Sequence, residues 1–442
     1  MKSFFSEDVL LEGESARALY KEVNNLPIID YHCHLDQDKI AVDEKFENIG
    51  QLWLSGDHYK WRAMRMCGVE EFYITGEASW EEKFMKYAEI LPNLIGGPLY
   101  YWTHLELQQV FNVFEPLNKN TAKKIYEESN EKLKTLSVRK LLEKFNVQFV
   151  ATTNDPVEDL KNHKTYGDTI VSPTFRPDKL YSLDSAYLES LGKAADMEIH
   201  NLNDLKNAIV KRLDFFVSKG CRISDHGFFD FPQSVALEED AQEMFLRREE
   251  LTEKEKDSMF GYILLYLLKE YKKRNIVVQL HFSVVRNINT EMFKKIGVDT
   301  GYDVIGAEPD LNALMKFLDK LSDEERPAII LYTLNPNAIA PVACISGAFR
   351  NVYVGAAWWF NDTLNGIKNN LSLIGEYACL GTNLGMLTDS RSFSSYSRFD
   401  FFRRILCTFV GGKVDKGEYE LADAKELVKN ISYYNIKKLL NI

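Results

Sequence analysis

Short runs of apolar and β-branched residues recur along the chain, and most of them end in polar side chains. Eight such runs are present: Ile28–His34, Val147–Thr153, Thr169–Phe175, Cys221–Asp225, Ile276–His281, Ala328–Leu334, Val352–Ala357 and Leu384–Asp389. Nearly continuous apolar runs of this length are typical of strands that are buried on both faces of a parallel sheet. The pattern therefore predicts eight parallel strands.

The segments between these runs mostly carry helical periodicity. Leu311–Leu321 has apolar residues at i, i+3, i+4 and i+7, and Glu253–Arg274 repeats this spacing over several turns. Strands that alternate with helices indicate βα units, and eight units favour a closed (β/α)8 barrel. An open doubly wound sheet is the alternative, but no G-x-G-x-x-G motif follows any of the runs.

The interval between the first two runs is too long for a simple crossover. We expect residues 36–146 to form a mostly helical insertion above the first strand, where it makes a lid or a wall of the site. No internal repeat, low-complexity tract or linker divides the chain. Residues 1–442 are therefore expected to form one barrel domain that contains this insertion.

Composition and charge narrow the range of partners. The 442 residues include 54 Lys and Arg against 65 Asp and Glu, which gives a net charge of −11 without any basic block. This argues against nucleic acid and anionic membrane surfaces, because both bind clustered basic residues. A small anionic substrate would have to be held by a few arginines placed locally against the overall charge.

The chain has the features of a cytoplasmic protein. Its N-terminus lacks the apolar stretch of a signal peptide, and its longest apolar run, around Tyr262–Leu268, is far short of the ~20 residues that span a bilayer. The six cysteines include no C-x-x-C pair, which favours reduced thiols. Barrels of this size often self-associate, so a homo-oligomer is expected.

The polar residues that end the runs indicate a metal site. Alternate residues of a strand point to the same face, so His32 and His34 can bind one cation while Cys33 points away. His281 ends the fifth run and Asp389 ends the eighth, and the carboxyl ends of barrel strands meet at one face. Alone, His281 would be interpreted as a packed histidine and Asp389 as a helix cap. Their convergence predicts a mononuclear site with an open position.

Two further positions favour one divalent metal ion over two. Tyr332 stands on the sixth strand where a second metal would require another histidine. Amidohydrolases with two metals, which this ligand pattern resembles, often place a lysine at the end of the fourth strand, where this chain has Asp225 and His226 and no lysine. Zn²⁺ is the expected ion, with Mn²⁺ or another divalent ion as the alternative.

The histidine pair on the first strand, the histidine on the fifth and the aspartate on the eighth follow the pattern of the amidohydrolase superfamily. Longer runs are similar to those of the uronate isomerase family within it: DYHCHL (30–35), GDHYKWRAMR (56–65), WTHLEL (102–107), TFRPDK (174–179), ISDH (223–226), YTLNP (332–336), WWFND (358–362), GMLTDSRSF (385–393) and FRRILC (402–407). The resemblance covers nearly the whole chain and implies an amidohydrolase-type barrel. It also implies reversible conversion of D-glucuronate to D-fructuronate and of D-galacturonate to D-tagaturonate.

The resemblance carries residue roles with it. It implies metal ligation by His32, His34 and Asp389, with His281 at the corresponding fifth-strand position. It further implies an active-site pair, a catalytic arginine after the eighth strand and the arginine of the FRPDK run: His58 and Tyr59, Arg391, and Arg176. The sequence departs from the family pattern at Tyr101, Phe399 and Asp400, so no role is transferred to those three positions.

The implied reaction fits these residue types. Moving a proton from C2 to C1 through an enediol requires a base, a group that carries the hydroxyl proton between O1 and O2, and an electrophile. Asp389 can act as the base, Tyr59 or His58 as the proton carrier, and Arg391 or the metal as the electrophile. Arg176 can hold the substrate's C6 carboxylate by a bidentate contact, or it can form an ion pair with Asp178.

Three alternatives remain open from the sequence. Trp358 and Trp359 follow the seventh strand, where they line the sugar site or pack in the core. A metal-dependent hydrolase of the same superfamily is the alternative function, and a non-catalytic sugar-acid binding protein is a third. Within the isomerase hypothesis, proton transfer is favoured over a hydride shift, which usually relies on more metal charge than one site offers.

Overall fold

A parallel sheet forms the centre of the protein in the computed structural model, which describes residues 4–442. The strands of this part of the chain are β1 (Ile28–Asp30), β2 (Val147–Asn154), β3 (Thr165–Tyr166), β4 (Thr169–Phe175), β5 (Ile223–Gly227), β6 (Val277–Phe282), β7 (Val284–Val285), β8 (Val304–Ile305), β9 (Ile329–Thr333) and β10 (Val352–Val354). Seven of them pair in parallel in the order β1-β2-β4-β5-β6-β9-β10, while β3 pairs antiparallel with β4, and β7 with β8. The predicted barrel-type α/β fold is confirmed.

Helices cover the sheet and fill the long first connection. They are α1 (Glu14–Val23), α2 (Gln37–Val42), α3 (Ile49–Leu54), α4 (His58–Met66), α5 (Trp80–Ile90), α6 (Pro98–Phe111), α7 (Ala122–Leu133), α8 (Val138–Lys144), α9 (Ser185–Ala194), α10 (Leu202–Ser218), α11 (Glu238–Leu246), α12 (Glu253–Lys273), α13 (Thr290–Ile296), α14 (Leu311–Leu318), α15 (Ile339–Ala348), α16 (Leu364–Tyr377), α17 (Ser397–Asp415), α18 (Leu421–Lys429) and α19 (Asn435–Leu440). The periodic segment Glu253–Arg274 coincides with α12, whereas α14 ends three residues before the predicted Leu321.

The eighth predicted strand, Leu384–Asp389, was wrong as a regular strand. Its backbone reaches positive φ at Gly385 (76°) and at Asp389 (46°), and left-handed residues interrupt a strand's hydrogen-bonding ladder. The segment nevertheless lies along the end of β1, because the amide of Asp389 donates to the carbonyl of His32 at 3.1 Å. The amide of His34 donates to the carbonyl of Ser390 at 3.0 Å. An irregular segment therefore occupies the eighth position beside β1.

The segment before β2 is helical wherever it has regular structure. Within residues 36–146, α2 to α8 pack against α1 and α17 through one hydrophobic cluster, which includes Trp53, Phe84, Trp102 and Phe401. A second cluster lies between the sheet and the outer helices α9 to α12, α14 and α15. A third fills the inside of the sheet with side chains such as Ile29, Phe149, Ile330 and Tyr332. Together the three clusters pack the sheet against the helices around it.

Among the described residues, none of the helices is both long and apolar enough to cross a bilayer.

Close contact between α1 and α17 depends on Gly411, so a larger side chain there should destabilise the protein. A Cβ at Gly411 would lie 2.5 Å from the Ala16 nitrogen and 2.8 Å from its Cα, whereas a Cβ at the neighbouring Gly412 would meet nothing within 4 Å. We expect Gly411→Ala to lower the free energy of unfolding by about 1–3 kcal/mol, because the two helices must move apart. Gly412→Ala should raise it by about 0.5–1 kcal/mol, since alanine favours the helix. Urea unfolding of both variants tests the pair, and equal effects would show that α1 and α17 do not touch at Gly411.

Candidate active site

A cavity of about 240 Å³ opens at the carboxyl ends of the strands. Nine of the residues singled out from the sequence line it: His32, His34, His58, Arg176, His281, Trp358, Trp359, Asp389 and Arg391. Tyr59 does not line this cavity. It lines a neighbouring apolar cavity of about 300 Å³ instead. The structure therefore brings together residues that are more than 350 positions apart in the sequence.

Asp389 is the centre of the first candidate metal group. One of its carboxylate oxygens lies 3.2 Å from Nε2 of His32 and 3.2 Å from Nε2 of His34. His32 and His34 lie beyond the last residue of β1, yet their alternate positions still direct both rings to the same carboxylate. Their candidate ligand atoms all lie within 4.8 Å of one another, a spacing that suits one divalent cation.

A second candidate group shares His32 with the first. It consists of His32, Asp225 and His281, again with all ligand atoms within 4.8 Å. His281 Nδ1 lies 2.6 Å from the carboxylate of Asp225, which leaves Nε2 as the nitrogen available to a metal. The four ligands expected from the sequence thus fall into two overlapping groups. Asp225, which the sequence did not identify as a ligand, belongs to the second.

Unpartnered atoms support the presence of a cation in this cluster. Nδ1 of His32 and Nε2 of His281 are buried and have no hydrogen-bond partner within residues 4–442. A buried polar atom without a partner is costly, and imidazole nitrogens beside carboxylates are preferred ligands of divalent metals. The residues present therefore fit a divalent metal ion, and the geometry leaves its identity open.

The protonation states of the cluster suit metal ligation. Burial, which disfavours the charged imidazolium, lowers the pKa of His34 to about 4, so this ring is neutral at pH 7. Burial would raise the pKa of Asp389, but hydrogen bonds and charge from His32 and His34 hold it well below its ordinary value. A neutral imidazole and an ionised carboxylate are the ligand forms that bind a divalent cation.

The backbone and neighbours of Asp389 fix its carboxylate. The residue has φ of 46°, a strained conformation for a side chain other than glycine. Nε1 of Trp358 donates to its second carboxylate oxygen at 2.6 Å. The preceding Thr388 donates through both its amide and its hydroxyl to the buried carboxylate of Asp30. Arg398 donates to the Thr388 carbonyl at 2.7 Å, so the position of Asp389 is determined from several sides.

Arg176 forms the expected ion pair with Asp178 and also lies in the cavity wall, while its contact with a substrate carboxylate stays a prediction. It lines the cavity, and its Nε donates to Asp178 at 2.8 Å while its Nη1 lies 3.0 Å from Asp225. About a fifth of its side chain (22%) remains exposed. The arginine therefore neutralises the carboxylate that holds His281 and still presents part of its guanidinium to the cavity.

Arg391 and His58 form a second pair across the cavity. Nη1 of Arg391 lies 3.1 Å from Nδ1 of His58, and its Nη2 donates to Asp299 at 2.9 Å. Burial and the neighbouring Arg391 lower the pKa of His58, so the imidazole is neutral and can accept a hydrogen bond from the arginine. His58 begins α4, and the side chain of Asp57 caps that helix by accepting from the amides of Tyr59 and Lys60.

The sequence did not predict the contribution of the segment between β6 and α14. This segment, with the β7–β8 hairpin and α13, supplies Arg286, Asp299 and Asp303 to the cavity wall. Arg286 pairs with Asp303 at 3.1 Å and adds a third arginine to Arg176 and Arg391. Its position in the sequence could have indicated this role, because the segment follows the carboxyl end of a barrel strand. Active-site residues of barrel enzymes lie in such connections.

The tryptophans line the cavity and also pack against its histidines. Trp358 lies 4.2 Å from the ring centre of His281, and Trp359 lies 5.2 Å from that of His58. The tryptophans therefore pack against the histidines and line the cavity, and their contact with a sugar stays a prediction. Tyr59 lies behind His58 and Trp359 in the neighbouring cavity, and its hydroxyl donates to Asp362 at 2.8 Å.

Comparisons with known proteins place this geometry in a family. The family model described as glucuronate isomerase matches residues 1–440. The chain is 42% identical to a uronate isomerase of Caldanaerobacter subterraneus subsp. tengcongensis, with 100% of both chains covered, and 39% identical to one of Clostridium perfringens, with 99% of each covered. A crystal structure of uronate isomerase from Thermotoga maritima superposes with a TM-score of 0.95 at 35% identity, covering 99% of this chain and 100% of that one. Glucuronate isomerase from Caulobacter crescentus gives 0.93 at 25% identity, covering 99% and 96%.

The overlap of the two metal groups predicts unequal effects of histidine substitutions. His32 belongs to both groups, so His32→Asn should reduce the affinity for Zn²⁺ or Mn²⁺ more than His281→Asn, which removes a member of one group. We expect a loss of roughly 100-fold or more for His32→Asn and about tenfold for His281→Asn, measured by isothermal titration calorimetry and metal content. His200→Asn, at an exposed histidine outside the cavity, is the matched control. Full metal affinity in His32→Asn would place the metal elsewhere.

Proposed function

Because the chain belongs to the glucuronate isomerase family and is an enzyme that isomerises uronates, we propose that it moves a proton between C2 and C1 of the sugar through an enediol. The reactions are D-glucuronate to D-fructuronate and D-galacturonate to D-tagaturonate. The observation that carries the proposal is one cavity in which a buried, ionised carboxylate faces imidazoles and three arginines. These are the groups that deprotonation next to a carbonyl requires.

Asp389 is the proposed base that removes the C2 proton. Its carboxylate is ionised and fixed between two imidazoles and the indole of Trp358, so little reorganisation is needed when the sugar binds. The hydrogen bonds that hold its pKa low are shared with His32 and His34. Their weakening in the reactive complex would raise the proton affinity of the carboxylate toward that of a useful base.

Arg391, His58 and Tyr59 are the proposed groups that manage charge and protons at O1 and O2. The Arg391 guanidinium is charged and partly exposed in the cavity, which allows it to stabilise the enediolate oxygen. His58 is neutral and lies beside it, so it can accept or return a hydroxyl proton. Tyr59 follows His58 on α4 and is within 5.2 Å of it, measured between ring centres.

Recognition of the uronate carboxylate is assigned to the arginines, with Trp358 and Trp359 as the walls of the sugar site. Arg176 is proposed to take the carboxylate in a bidentate contact, supported by Arg286 on the opposing segment. A chain with a net charge of −11 repels a uronate at long range, so three arginines concentrated in one cavity supply the local attraction.

One divalent metal ion, proposed to be Zn²⁺ with Mn²⁺ as the alternative, is assigned to His32, His34, His281 and Asp389. When bound, such an ion supplies Lewis-acid polarisation of a sugar oxygen. The imidazoles and the ionised carboxylate provide its ligands, and Asp225 fixes the tautomer of His281 through the 2.6 Å contact with Nδ1. Burial lowers the pKa of His281, whereas at His32 burial is outweighed by the carboxylates of Asp225 and Asp389, which raise the pKa, so a cation would compete with a proton there.

We propose that residues 1–442 form one domain, with the helical segment 36–146 as an insertion. The core that α2 to α8 share with α17 supports this. A cytoplasmic location is supported by six free cysteines. The expected partner is a small hexuronate, and self-association of the barrel is proposed without a particular stoichiometry.

The decisive experiment follows each sugar in D₂O by NMR. Wild-type enzyme with D-glucuronate, then with D-galacturonate, should form the 2-keto acid with deuterium at C1, because an enediol exchanges the transferred proton with solvent. Asp389→Asn should lower kcat by about a thousandfold or more while the fold and the melting temperature are kept. Asp159→Asn, at an exposed aspartate, is the control and should behave as wild type. Ketose without deuterium would remove the exchanging enediol, and absence of ketose from metal-loaded enzyme would favour the hydrolase alternative.

Arg176→Lys tests carboxylate recognition. Lysine keeps the positive charge beside Asp225 and Asp178 but cannot make a bidentate contact, so KM for both uronates should rise by about tenfold with a smaller change in kcat. Arg247→Lys, at a surface ion pair with Glu255, is the matched control. Steady-state kinetics measure both variants. An unchanged KM in Arg176→Lys would assign the carboxylate to other groups.

A further inference from the structure

Asp362 is a buried carboxylate that takes no part in the proton transfers proposed for Asp389, His58 and Tyr59. It lies between β10 and α16, and only 3% of its surface is exposed. One of its oxygens accepts the hydroxyl hydrogen of Tyr59 at 2.8 Å. Its other oxygen is buried and has no hydrogen-bond partner within residues 4–442. A buried carboxylate with half of its bonding capacity unused is costly, so its retention next to a proposed catalytic side chain requires an explanation.

The charge of Asp362 is balanced by Arg398 across the same aromatic cluster. Arg398 is 1% exposed, and its guanidinium carbon lies 3.9 Å from the ring centre of Trp102 and 5.3 Å from that of Tyr59. The arginine attracts the carboxylate of Asp362 electrostatically while donating to the Thr388 carbonyl beside Asp389. Tyr59 is therefore held between a carboxylate at its hydroxyl and a guanidinium near its ring.

A largely apolar cavity surrounds this contact. Asp362 and Tyr59 both line the cavity of about 300 Å³, whose other walls include Leu99, Pro98 and Phe360. This cavity shares His58 and Trp359 with the reaction cavity, so the Tyr59–Asp362 pair lies directly behind the shared wall. Hydrogen bonds between a hydroxyl and a carboxylate are stronger in such surroundings than in water.

We propose that Asp362 is a positioning residue for the isomerisation, which fixes the Tyr59 ring beside His58 and receives the phenolic proton whenever the phenol oxygen takes one from the sugar. A phenol has one donor and two acceptor sites, and the donor is committed to Asp362. Its acceptor sites are therefore left for a sugar hydroxyl that reaches the wall of His58 and Trp359 shared by the two cavities. This inference rests on the proposed function, because it assigns a partner to the proton carrier of that reaction.

This proton relay from the sugar through Tyr59 to Asp362 and back gains and loses no net proton over one turnover. A proton leaves O2 for the Tyr59 oxygen as the phenolic proton moves to Asp362, which becomes a neutral acid. The return step moves the proton from Asp362 back to Tyr59 and from Tyr59 to O1, so both groups recover their starting forms. Burial raises the pKa of Asp362 to about 6, with Arg398 and Tyr59 acting in the opposite direction, so this carboxylate accepts a proton more readily than an exposed one.

A double-mutant cycle tests whether Asp362 acts through Tyr59. Asp362→Asn keeps an acceptor for the phenol but cannot take its proton, and Asp362→Ala removes both. We expect kcat for the uronate to fall about tenfold in Asp362→Asn and about 100-fold in Asp362→Ala, with KM changed less than about threefold. In a Tyr59→Phe background, Asp362→Asn should change kcat by less than about twofold, since the relay is already broken. An equal loss of kcat in both backgrounds would overturn the proposal.

A second Tyr–Asp pair in the same protein serves as the matched control. Tyr20 donates to Asp400, which also pairs with Arg404, and neither Tyr20 nor Asp400 lines the reaction cavity. Tyr20→Phe removes a buried tyrosine–aspartate hydrogen bond of the same kind. It should therefore leave kcat unchanged while changing the melting temperature. A loss of kcat in Tyr20→Phe as large as that in Asp362→Asn would show that the effect at Asp362 comes from general destabilisation.

An NMR titration makes the test independent of turnover. The ¹³Cγ resonance of Asp362, assigned by its loss in Asp362→Asn, should titrate near pH 6 in the wild type and at a higher pH in Tyr59→Phe, because the Tyr59 hydrogen bond lowers its pKa. Titration at the same pH in both proteins would overturn the proposed contact, whether or not ketose forms. Wild-type enzyme that forms no ketose would instead contradict the proposed function.

Discussion

The contacts of Asp389 are the constraint on which the rest of the structure depends: its carboxylate lies between the imidazoles of His32 and His34 in the site, while its backbone holds the eighth segment beside β1. Its backbone amide donates to the carbonyl of His32, so the residue that completes the site also attaches the eighth segment to β1. An ionised group buried in this way is stable only with charged or polar partners on every side. The indole of Trp358 and the two imidazoles provide them. The strained φ of 46° is tolerated because these contacts and the fixed position of Thr388 determine the conformation.

Acidic and basic side chains alternate around the cavity, so other charged groups there are also stabilised by partners of opposite charge. Arg176 lies between Asp178 and Asp225, while Asp299 lies between Arg391 and Arg286, at 2.9 and 3.9 Å. Each of these charges thus has an opposite neighbour, which limits the desolvation cost of the buried ones such as Asp225. A uronate that enters must compete with these internal pairs for the arginines. Selectivity for a carboxylate therefore depends on how much of each guanidinium remains exposed, which is 22% for Arg176 and 38% for Arg286.

The sequence predicted the parts of this structure that repeat and missed the parts that do not. Continuous apolar runs identify seven parallel strands because burial on both faces leaves a strong local signal. Leu384–Asp389 carries the same signal but folds irregularly, since two positive φ angles are set by tertiary contacts that no local pattern records. The histidine pair, His281 and Asp389 were found because they end such runs. Arg286 and Asp225 were missed as functional groups, because their importance arises from which opposite charges the barrel brings next to them.

A comparison of the Tyr20–Asp400 and Tyr59–Asp362 pairs shows how structural and functional carboxylates differ. Asp400 accepts from Tyr20, Gln109 and Arg404, so both of its oxygens are occupied. Asp362 accepts from Tyr59 with one oxygen and leaves the other without a partner among residues 4–442, beside a largely apolar cavity. Stability alone would favour full pairing, as at Asp400. An incompletely paired carboxylate retains proton affinity, and at Asp362 that affinity lies one hydrogen bond away from the side chain that carries a proton during isomerisation.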